Sequence, residues 1–408
     1  MTAAGSARPG LAEDATVEVG PLAYRCEHGC WTVGSLDTGE AVDLPGIAVT
    51  VLHALESGKN LDQAALDAEE AHGERPDVRG FVEELSELGF VRLPGQRPHE
   101  PAEPGGLAFG WLAPRYVSWA FSPASGIVIT AFILAAFGLA IGRHRLGFGY
   151  GSFFASRYPG VSLAWSVGVV TLSMLLHEFW HLAAARAAGI PARIKLSTRL
   201  IFLVAQTAAP LMWLASRRQR LCFYLAGMTC DLALAAAFAV VCTWCRAGTW
   251  PAAMAGSATL MLLLGVVYEF AFCMRTDVYL VAQELLRCRN LSGDARAYAR
   301  YRVRRTMAAV RGQHPPADPT LELPRHERQP VRLYAAFLVA GCAVVLALTA
   351  AYGLPITVAL YLRAARGVAS AQPWRVLDGL ATFGVEAGTQ ALFIVVAARR
   401  LRRRRAAR

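Results

Sequence analysis

Long apolar stretches follow one another along the chain after residue 120, separated by short polar segments. An α-helix needs about 20 apolar residues to cross the hydrocarbon core of a bilayer. Stretches of this length predict membrane-spanning helices near residues 122–142, 162–187, 221–245, 252–273, 333–361 and 378–398. The fifth contains Gly353-Leu354-Pro355, which predicts a kink or a tilt. A shorter apolar run at 201–215 contains Pro210 and predicts a re-entrant or hairpin element.

The first hundred residues have a different pattern, typical of a small folded head. The stretch "WTVGSLDTGEAVDLPG" alternates apolar and polar residues and predicts short strands with a turn. The stretches "IAVTVLHALESG" and "DVRGFVEELSELGF" place apolar residues at helical spacing, and "VRLPG" predicts a closing strand. We therefore predict a winged-helix-like domain over residues 20–96, after a disordered start at 1–19.

Together these patterns predict a mainly α fold, a polytopic membrane bundle of about six spans with a small N-terminal α+β winged-helix-like domain. The Pro- and Gly-rich segment 97–110 is the predicted linker between the two. The remaining divisions are a membrane core at 111–300, a basic loop at 301–332, C-terminal spans at 333–398 and a basic tail at 399–408.

Composition and charge support a membrane protein. Hydrophobic residues make up 55% of the chain and charged residues 17%. Residues 1–110 hold 7 Lys and Arg against 19 Asp and Glu, whereas the remaining residues hold 34 against 11. No segment interleaves aromatic and basic residues in the way that nucleic-acid recognition needs, so we expect no nucleic-acid partner.

The distribution of Lys and Arg predicts the topology. These residues concentrate in 186–220, in 275–332 and in the tail "RRLRRRRAAR". Because cytoplasmic loops carry the excess of positive charge, six spans place both termini in the cytoplasm of a multi-pass cell-membrane protein. The start of the chain also lacks the apolar core of a signal peptide.

The nine cysteines are scattered, and a cytoplasmic head makes a disulfide framework an unfavourable interpretation. "CEHGC", from Cys26 through His28 to Cys30, has some resemblance to a metal ligand pair. It lacks a second pair, so we favour free thiols over a zinc site there.

The polar residues His177, Glu178 and His181 interrupt the apolar run "TLSMLLHEFWHLAAARAAGI". Residues four apart share one face of a helix, so both imidazoles can hold one metal ion, and the glutamate beside them can reach a metal-bound water. The alternative is a set of polar groups that hydrogen-bond between helices. Ionisable residues at this depth are usually functional, so we favour a single zinc ion with Glu178 as general base.

Two histidines leave a coordination vacancy, and none of the other seven histidines lies in a predicted span. The third ligand is therefore expected to be acidic. Comparison of depth along the predicted helices favours Asp277, followed by Glu269 and Asp231, and places two further acids in the outer half, Asp378 and Glu386.

The segment "LLHEFWHLAAARAAGI" resembles the first motif of the site-2-protease-like intramembrane zinc metallopeptidases. "MRTDVYLVAQELLRCRNL" is similar to their second motif, although Val278 replaces the usual glycine. The resemblance covers roughly 160–300 and implies zinc ligands His177, His181 and Asp277.

The segment "YLAGMTCDLALAA" occupies the place of the same family's Gly-Pro-x-x-Asn motif, with Asp231 at the asparagine position. The resemblance thus implies a substrate-positioning role for Asp231, and likewise for Tyr279 in the second motif. A buried hydrogen-bonding role for Asp231 unrelated to catalysis is an equal alternative.

The head resembles the small winged-helix domains that bind leader peptides during ribosomal-peptide maturation, first known from pyrroloquinoline quinone assembly. The resemblance rests on "VDLPGIAVTVLHALESGKNLDQAALDAEE" followed by "VRGFVEELSELGFV". Such domains add the leader as an extra strand at a sheet edge. The alternative is a generic winged helix with another partner.

These resemblances imply a zinc metalloendopeptidase that removes the leader of a ribosomally made natural-product precursor in the bilayer. Two alternatives remain open: a non-proteolytic peptide-binding protein for export, immunity or sensing with a structural metal, or a protease of regulated signalling. The sequence does not indicate an oligomeric state.

Overall fold

The structure is a computed structural model that describes residues 16–27, 30–37, 39–93, 109–199, 202–271, 275–288, 290–314 and 316–406. The described chain is mainly helical. It divides into two compact units, one formed by Met1–Gly105 with Ala209–Ser216 and the other by Gly106–Ala208 with Arg217–Arg408. The predicted disordered start and linker lie mostly outside the described residues.

The N-terminal unit contains a small sheet followed by three helices. Its elements are β1 (Glu18–Val19), β2 (Leu22–Glu27), β3 (Cys30–Ser35), β4 (Ala41–Leu44), α1 (Gly46–Glu56), α2 (Leu61–His72), α3 (Val78–Glu87) and β5 (Val91–Arg92). Strands β2, β3 and β4 form an antiparallel meander, and β1 pairs with β5. This is the predicted order of strands, helices and closing strand.

The three helices cover one apolar core. Val33 on β3 packs with Leu52 on α1, Val82 on α3 and Phe90, and all four are fully buried. Helix α2 begins at a capping box in which Asn60 and Gln63 exchange hydrogen bonds. The start of α2 is therefore fixed by a local sequence signal.

Residues 209–216 complete this unit. The indole of Trp213 lies against Gly34 on β3, where any Cβ atom would collide with the ring. The guanidinium of Arg25 donates a hydrogen bond of 2.6 Å to the main-chain oxygen of Trp213 and another to that of Ala215. The glycine is thus required by a close approach.

The second unit begins with the helices α4 (Pro114–Val117), α5 (Pro123–Gly142) and α6 (Pro159–Ala187). Strands β6 (Arg193–Arg199) and β7 (Phe202–Ala208) then pair antiparallel. The remaining helices are α7 (Arg217–Trp244), α8 (Trp250–Glu269), α9 (Asp277–Leu286), α10 (Leu291–Val310), α11 (Arg325–Leu348), α12 (Leu354–Val368) and α13 (Pro373–Ala406). The re-entrant or hairpin element predicted at 201–215 overlaps this strand pair only over β7, because the pair spans Arg193–Ala208 and residues 209–216 belong to the N-terminal unit.

Five of the described helices are long and apolar enough to cross a membrane: Pro123–Gly142, Pro159–Ala187, Arg217–Trp244, Trp250–Glu269 and Arg325–Val368. By length and composition these are the helices of a multi-pass membrane protein. They match the first five predicted spans, and the fifth is longer than predicted because α11 and α12 are continuous through a π-helical turn at Thr349–Gly353. The sixth predicted span lies within α13, which is not one of these five.

Helix α7 packs against α5, α6, α8 and α9. Its fully buried alanines, Ala235, Ala236 and Ala239, let neighbouring backbones approach closely. Ala235 packs with Val169 on α6 and Leu262 on α8. The long helices are thereby held side by side, which brings their few polar residues together.

Candidate metal centre

His177 and His181 lie one turn apart on α6, and their ring centroids are 4.8 Å apart. Their Nε2 atoms face each other at 3.1 Å. A helix places residues four apart on one face, so this convergence follows directly from the spacing. His181 is buried, and the His177 side chain is 13% exposed.

Asp277, the first residue of α9, brings a carboxylate to the same point. Its Oδ2 atom lies 3.1 Å from Nε2 of His177 and 2.8 Å from Nε2 of His181. One ligand atom from each of the three residues lies within 4.8 Å of the other two. We call these three residues the ligand cluster.

The other nitrogen of each ring is held by a hydrogen-bond acceptor on α7. Nδ1 of His177 lies 2.7 Å from Oδ2 of Asp231, and Nδ1 of His181 lies 2.7 Å from the main-chain oxygen of Phe223. A carbonyl or a carboxylate oxygen accepts, so each Nδ1 carries the proton. When both imidazoles are neutral, the lone pair of each Nε2 is directed at Asp277.

This arrangement needs positive charge at its centre. Two lone pairs and a carboxylate oxygen repel one another at such short distances unless a proton or a cation lies between them. A single divalent cation satisfies all three ligand atoms at once. Two imidazole nitrogens and a carboxylate oxygen are also ligands that zinc accepts, so the residues fit the ion that the sequence implies.

Asp277 is held in place by Glu269 at the end of α8. The Asp277 N–H donates a hydrogen bond of 3.0 Å to Oε2 of Glu269, and the Thr276 hydroxyl donates to the Glu269 main-chain oxygen. Burial by itself raises the pKa of the Asp277 carboxyl, but the hydrogen bonds that it accepts from His177 and His181 when those rings are protonated outweigh burial and hold that pKa well below its usual range. The carboxyl is thus ionised, as a metal ligand must be.

Close packing of α7 against α6 makes room for the cluster. A Cβ atom on Gly227 would overlap the imidazole of His177, so only glycine fits there. Gly227 lies one turn before Asp231 on the same face of α7. Ser173, one turn before His177 on α6, donates a hydrogen bond of 2.6 Å to Oδ1 of Asp231. Both oxygens of Asp231 are thereby occupied, and its carboxylate is fixed against His177.

Glu178 is positioned by a strand. Its Oε2 atom accepts a hydrogen bond of 2.6 Å from the main-chain N–H of Thr207 on β7. The Thr207 hydroxyl lies 2.7 Å from the same Oε2 and 2.8 Å from the Glu178 main-chain oxygen. The carboxylate of Glu178 is therefore not one of the three ligands and has its own partners.

A cavity of about 250 Å³ opens onto these residues. Its polar lining consists of Ser173, His177, Glu178, Asp231, Glu269 and Asp277. Its apolar lining comes from α6 and α8, with Val169, Val170, Met174, Met261, Leu262 and Gly265. We call it the central cavity; it combines ionisable groups with a lining suited to an apolar group.

The remaining predicted site residues lie elsewhere or act differently. Tyr279 is buried away from the central cavity, in a cluster where its ring packs against Tyr334 at 5.8 Å. The helical turn of α9 directs this ring towards α11 and not into the lining of the central cavity, and its substrate-positioning role stays a prediction. Asp231 hydrogen-bonds to the His177 ring and also lines the central cavity, so its substrate-positioning role and its purely hydrogen-bonding role both stay predictions. Cys26 is an exposed free thiol, and His28 lies outside the described residues.

Three residues of the site were not predicted from the sequence: Thr207, Ser173 and Gly227. Helical spacing could have identified Ser173 and Gly227, which lie one turn from His177 and Asp231. Thr207 carries no such signal, because its contact with Glu178 joins residues 29 apart through a strand pair.

Comparisons of the chain with models of protein families, with curated proteins and with solved structures found no match. The assignment of function therefore depends on the geometry of the ligand cluster and its surroundings.

We expect Asp231→Ala to weaken zinc binding by about tenfold to a hundredfold, because it frees the ring of the ligand His177. Asp231→Asn has a side chain of the same shape that keeps an acceptor oxygen, so its zinc affinity should fall much less. The affinity is measured by competition with a coloured chelator on the full-length protein in detergent. The matched control is Asp294→Asn, on α10 away from the cluster, which should bind zinc normally. Equal affinities for Asp231→Ala and the control would contradict the orienting role.

Proposed function

We propose that the chain is an intramembrane metallopeptidase that binds one zinc ion through His177, His181 and Asp277 and uses Glu178 as its general base. The observation that supports this most strongly is the meeting of three ligand atoms from α6 and α9 beside a separate carboxylate. Both lie on the central cavity, between helices long and apolar enough to span a membrane.

Zinc, when bound, supplies a Lewis acid that polarises the scissile carbonyl and lowers the pKa of water to near neutrality. Glu178 takes the proton from the attacking water and delivers it to the leaving amine. Asp231 and the Phe223 carbonyl keep the two imidazoles in the tautomer that leaves Nε2 free. Thr207 holds the Glu178 carboxylate at the cavity.

The number of ligands favours catalysis over a purely structural site. A structural zinc site closes with four protein ligands, whereas catalytic sites keep three and leave one position open. The cluster found among the described residues has three members. Glu178, which a structural site would not need, lines the same cavity.

The surroundings favour an apolar peptide as substrate. The wall from α6 and α8 suits an apolar side chain, and the N–H of Thr207 points away from β6 towards Glu178. An extended peptide that lies beside β7 and Glu178 has its backbone aligned with the cavity. A helical substrate has to unwind before it presents a peptide bond in this way.

We further propose that the substrate is a precursor peptide whose leader binds the N-terminal unit. The meander of β2, β3 and β4 has β2 and β4 as its edges, and strand addition at an edge is a common way to bind an extended peptide. The 19 acidic residues against 7 basic ones in 1–110 favour a leader with basic residues. A protease of regulated signalling uses the same cluster and differs in its substrate.

We expect Glu178→Gln to retain zinc and to lower peptide cleavage by at least about a hundredfold, because the amide cannot accept the water proton. The full-length protein in lipid vesicles is incubated with a library of quenched-fluorescent apolar peptides, and products are identified by mass spectrometry. Glu322→Gln, at an exposed position, is the matched control and should cleave normally. Cleavage by Glu178→Gln at the unmodified rate would remove Glu178 from the mechanism.

We expect Thr207→Val to lower kcat by about tenfold, with little change in KM or zinc content, because it removes the hydroxyl that holds the Glu178 carboxylate. Thr207→Ser keeps the hydroxyl and should restore most of the rate. The rates are measured on the same peptides. A fall in zinc content, or equal loss in the serine variant, would show that Thr207 supports the fold rather than the position of Glu178.

A further inference from the structure

A second cavity, of about 230 Å³, lies at the other end of α6 from the ligand cluster. It is lined by residues just before α6, near the end of α12 and near the start of α13. Four of them are arginines: Arg157, Arg363, Arg366 and Arg375. At 1.5 Å per residue, the 18 residues from Pro159 to His177 separate the two sites by about 27 Å of helix. We call it the arginine cavity.

The positive charge of the arginine cavity is only partly balanced by the residues that line it. Asp378 is the acidic residue in its lining, and its Oδ2 accepts a hydrogen bond of 3.2 Å from the Gly160 N–H in the first turn of α6. The Asp378 carboxylate thus interacts favourably with the positive end of the α6 dipole. Among the described residues, none of the four arginines forms an ion pair.

Packing holds the arginines near one another. A Cβ atom on Gly379 would lie 2.5 Å from the main-chain oxygen of Ala364, so α12 and α13 meet at a distance that only glycine allows. The guanidinium of Arg363 stacks on the Phe154 ring at 3.8 Å. The arginines lie near one another because α12 and α13 pack closely. This packing concentrates positive charges that a bound anion would stabilise.

The surroundings of the cavity indicate where the anion comes from. Trp374 and Leu377, in the first turns of α13 beside Arg375, are 77% and 56% exposed. Tryptophan at the ends of apolar helices is typical of the headgroup level of a bilayer, and exposed leucine suits acyl chains. Basic pockets between membrane helices bind anionic headgroups.

We propose that the arginine cavity binds the phosphate group of an anionic membrane lipid. Guanidinium groups match phosphate oxygens with paired hydrogen bonds, and four arginines against one aspartate favour a lipid with net negative charge over a zwitterionic one. The same chemistry would accept inorganic phosphate, but the exposed Trp374 and Leu377 favour the lipid. This site is separate from the metal centre and does not depend on peptidase activity.

The test is lipid titration of the full-length protein in detergent, followed by native mass spectrometry. The probes are dioleoylphosphatidylglycerol, dioleoylphosphatidylcholine and inorganic phosphate. We expect one phosphatidylglycerol to bind about tenfold more tightly than phosphatidylcholine. The double variant Arg366→Gln, Arg375→Gln should lose the preference for phosphatidylglycerol. The double variant Arg366→Lys, Arg375→Lys should retain part of that preference.

The matched control is Arg302→Gln with Arg304→Gln, two exposed arginines on α10, which should keep the preference. An equal loss in the control pair, or no preference in the unmodified protein, would overturn the proposal. Binding of inorganic phosphate that depends on Arg366 and Arg375, without any lipid preference, would overturn the lipid assignment.

A second measurement does not depend on the folding of any variant. Phosphatidylglycerol should raise the Tm of the unmodified protein above the value in an equal amount of phosphatidylcholine, because a ligand that binds only the folded state stabilises it. Equal Tm values in the two lipids would contradict the site.

Discussion

The function proposed for the helical unit depends on two imidazole nitrogens and a carboxylate oxygen that face one another inside an apolar bundle. Each of the three pairwise distances between these atoms is 3.1 Å or less; the atoms are Nε2 of His177, Nε2 of His181 and Oδ2 of Asp277. Electron-rich atoms at these distances in low dielectric repel strongly, and desolvation adds to the cost. The fold keeps them together because each ring is anchored from behind and because a cation can be placed between them.

Helix α7 supplies most of that anchoring. Three residues of α7 at intervals of four face α6: Phe223, Gly227 and Asp231. Phe223 offers its main-chain oxygen and Asp231 its carboxylate to the histidine rings, and Gly227 leaves room for the His177 ring. The buried alanines further along α7 let the helices approach closely enough for these contacts. The same packing that buries apolar surface therefore sets the direction of the histidine rings. The Glu178 carboxylate is held instead by β7, where it accepts a hydrogen bond from the Thr207 N–H.

The parts of this arrangement that depend on helical periodicity could be predicted from sequence, and the parts that depend on tertiary contact could not. The spacing of His177 and His181 fixes their shared face, and the depth of Asp277 along the predicted helices singled it out among five acids. The apolar runs predicted four of the five candidate spans to within a few residues, and the fifth extends further at both ends than predicted. Sequence could not choose between substrate positioning and hydrogen bonding for Asp231, because that choice depends on how α6 and α7 rotate against each other. It could not find Thr207 either, because the pairing of β6 and β7 determines which strand faces Glu178.

The central claim is that zinc is held by two imidazoles and one carboxylate with a position left open. X-ray absorption at the zinc edge on the full-length protein in lipid vesicles tests it most directly. The account predicts one zinc per chain, a first shell of nitrogen and oxygen at about 2.0–2.1 Å, scattering from two imidazole rings and one water ligand. A shell containing sulfur at about 2.3 Å, or one closed by four protein side chains, would contradict it.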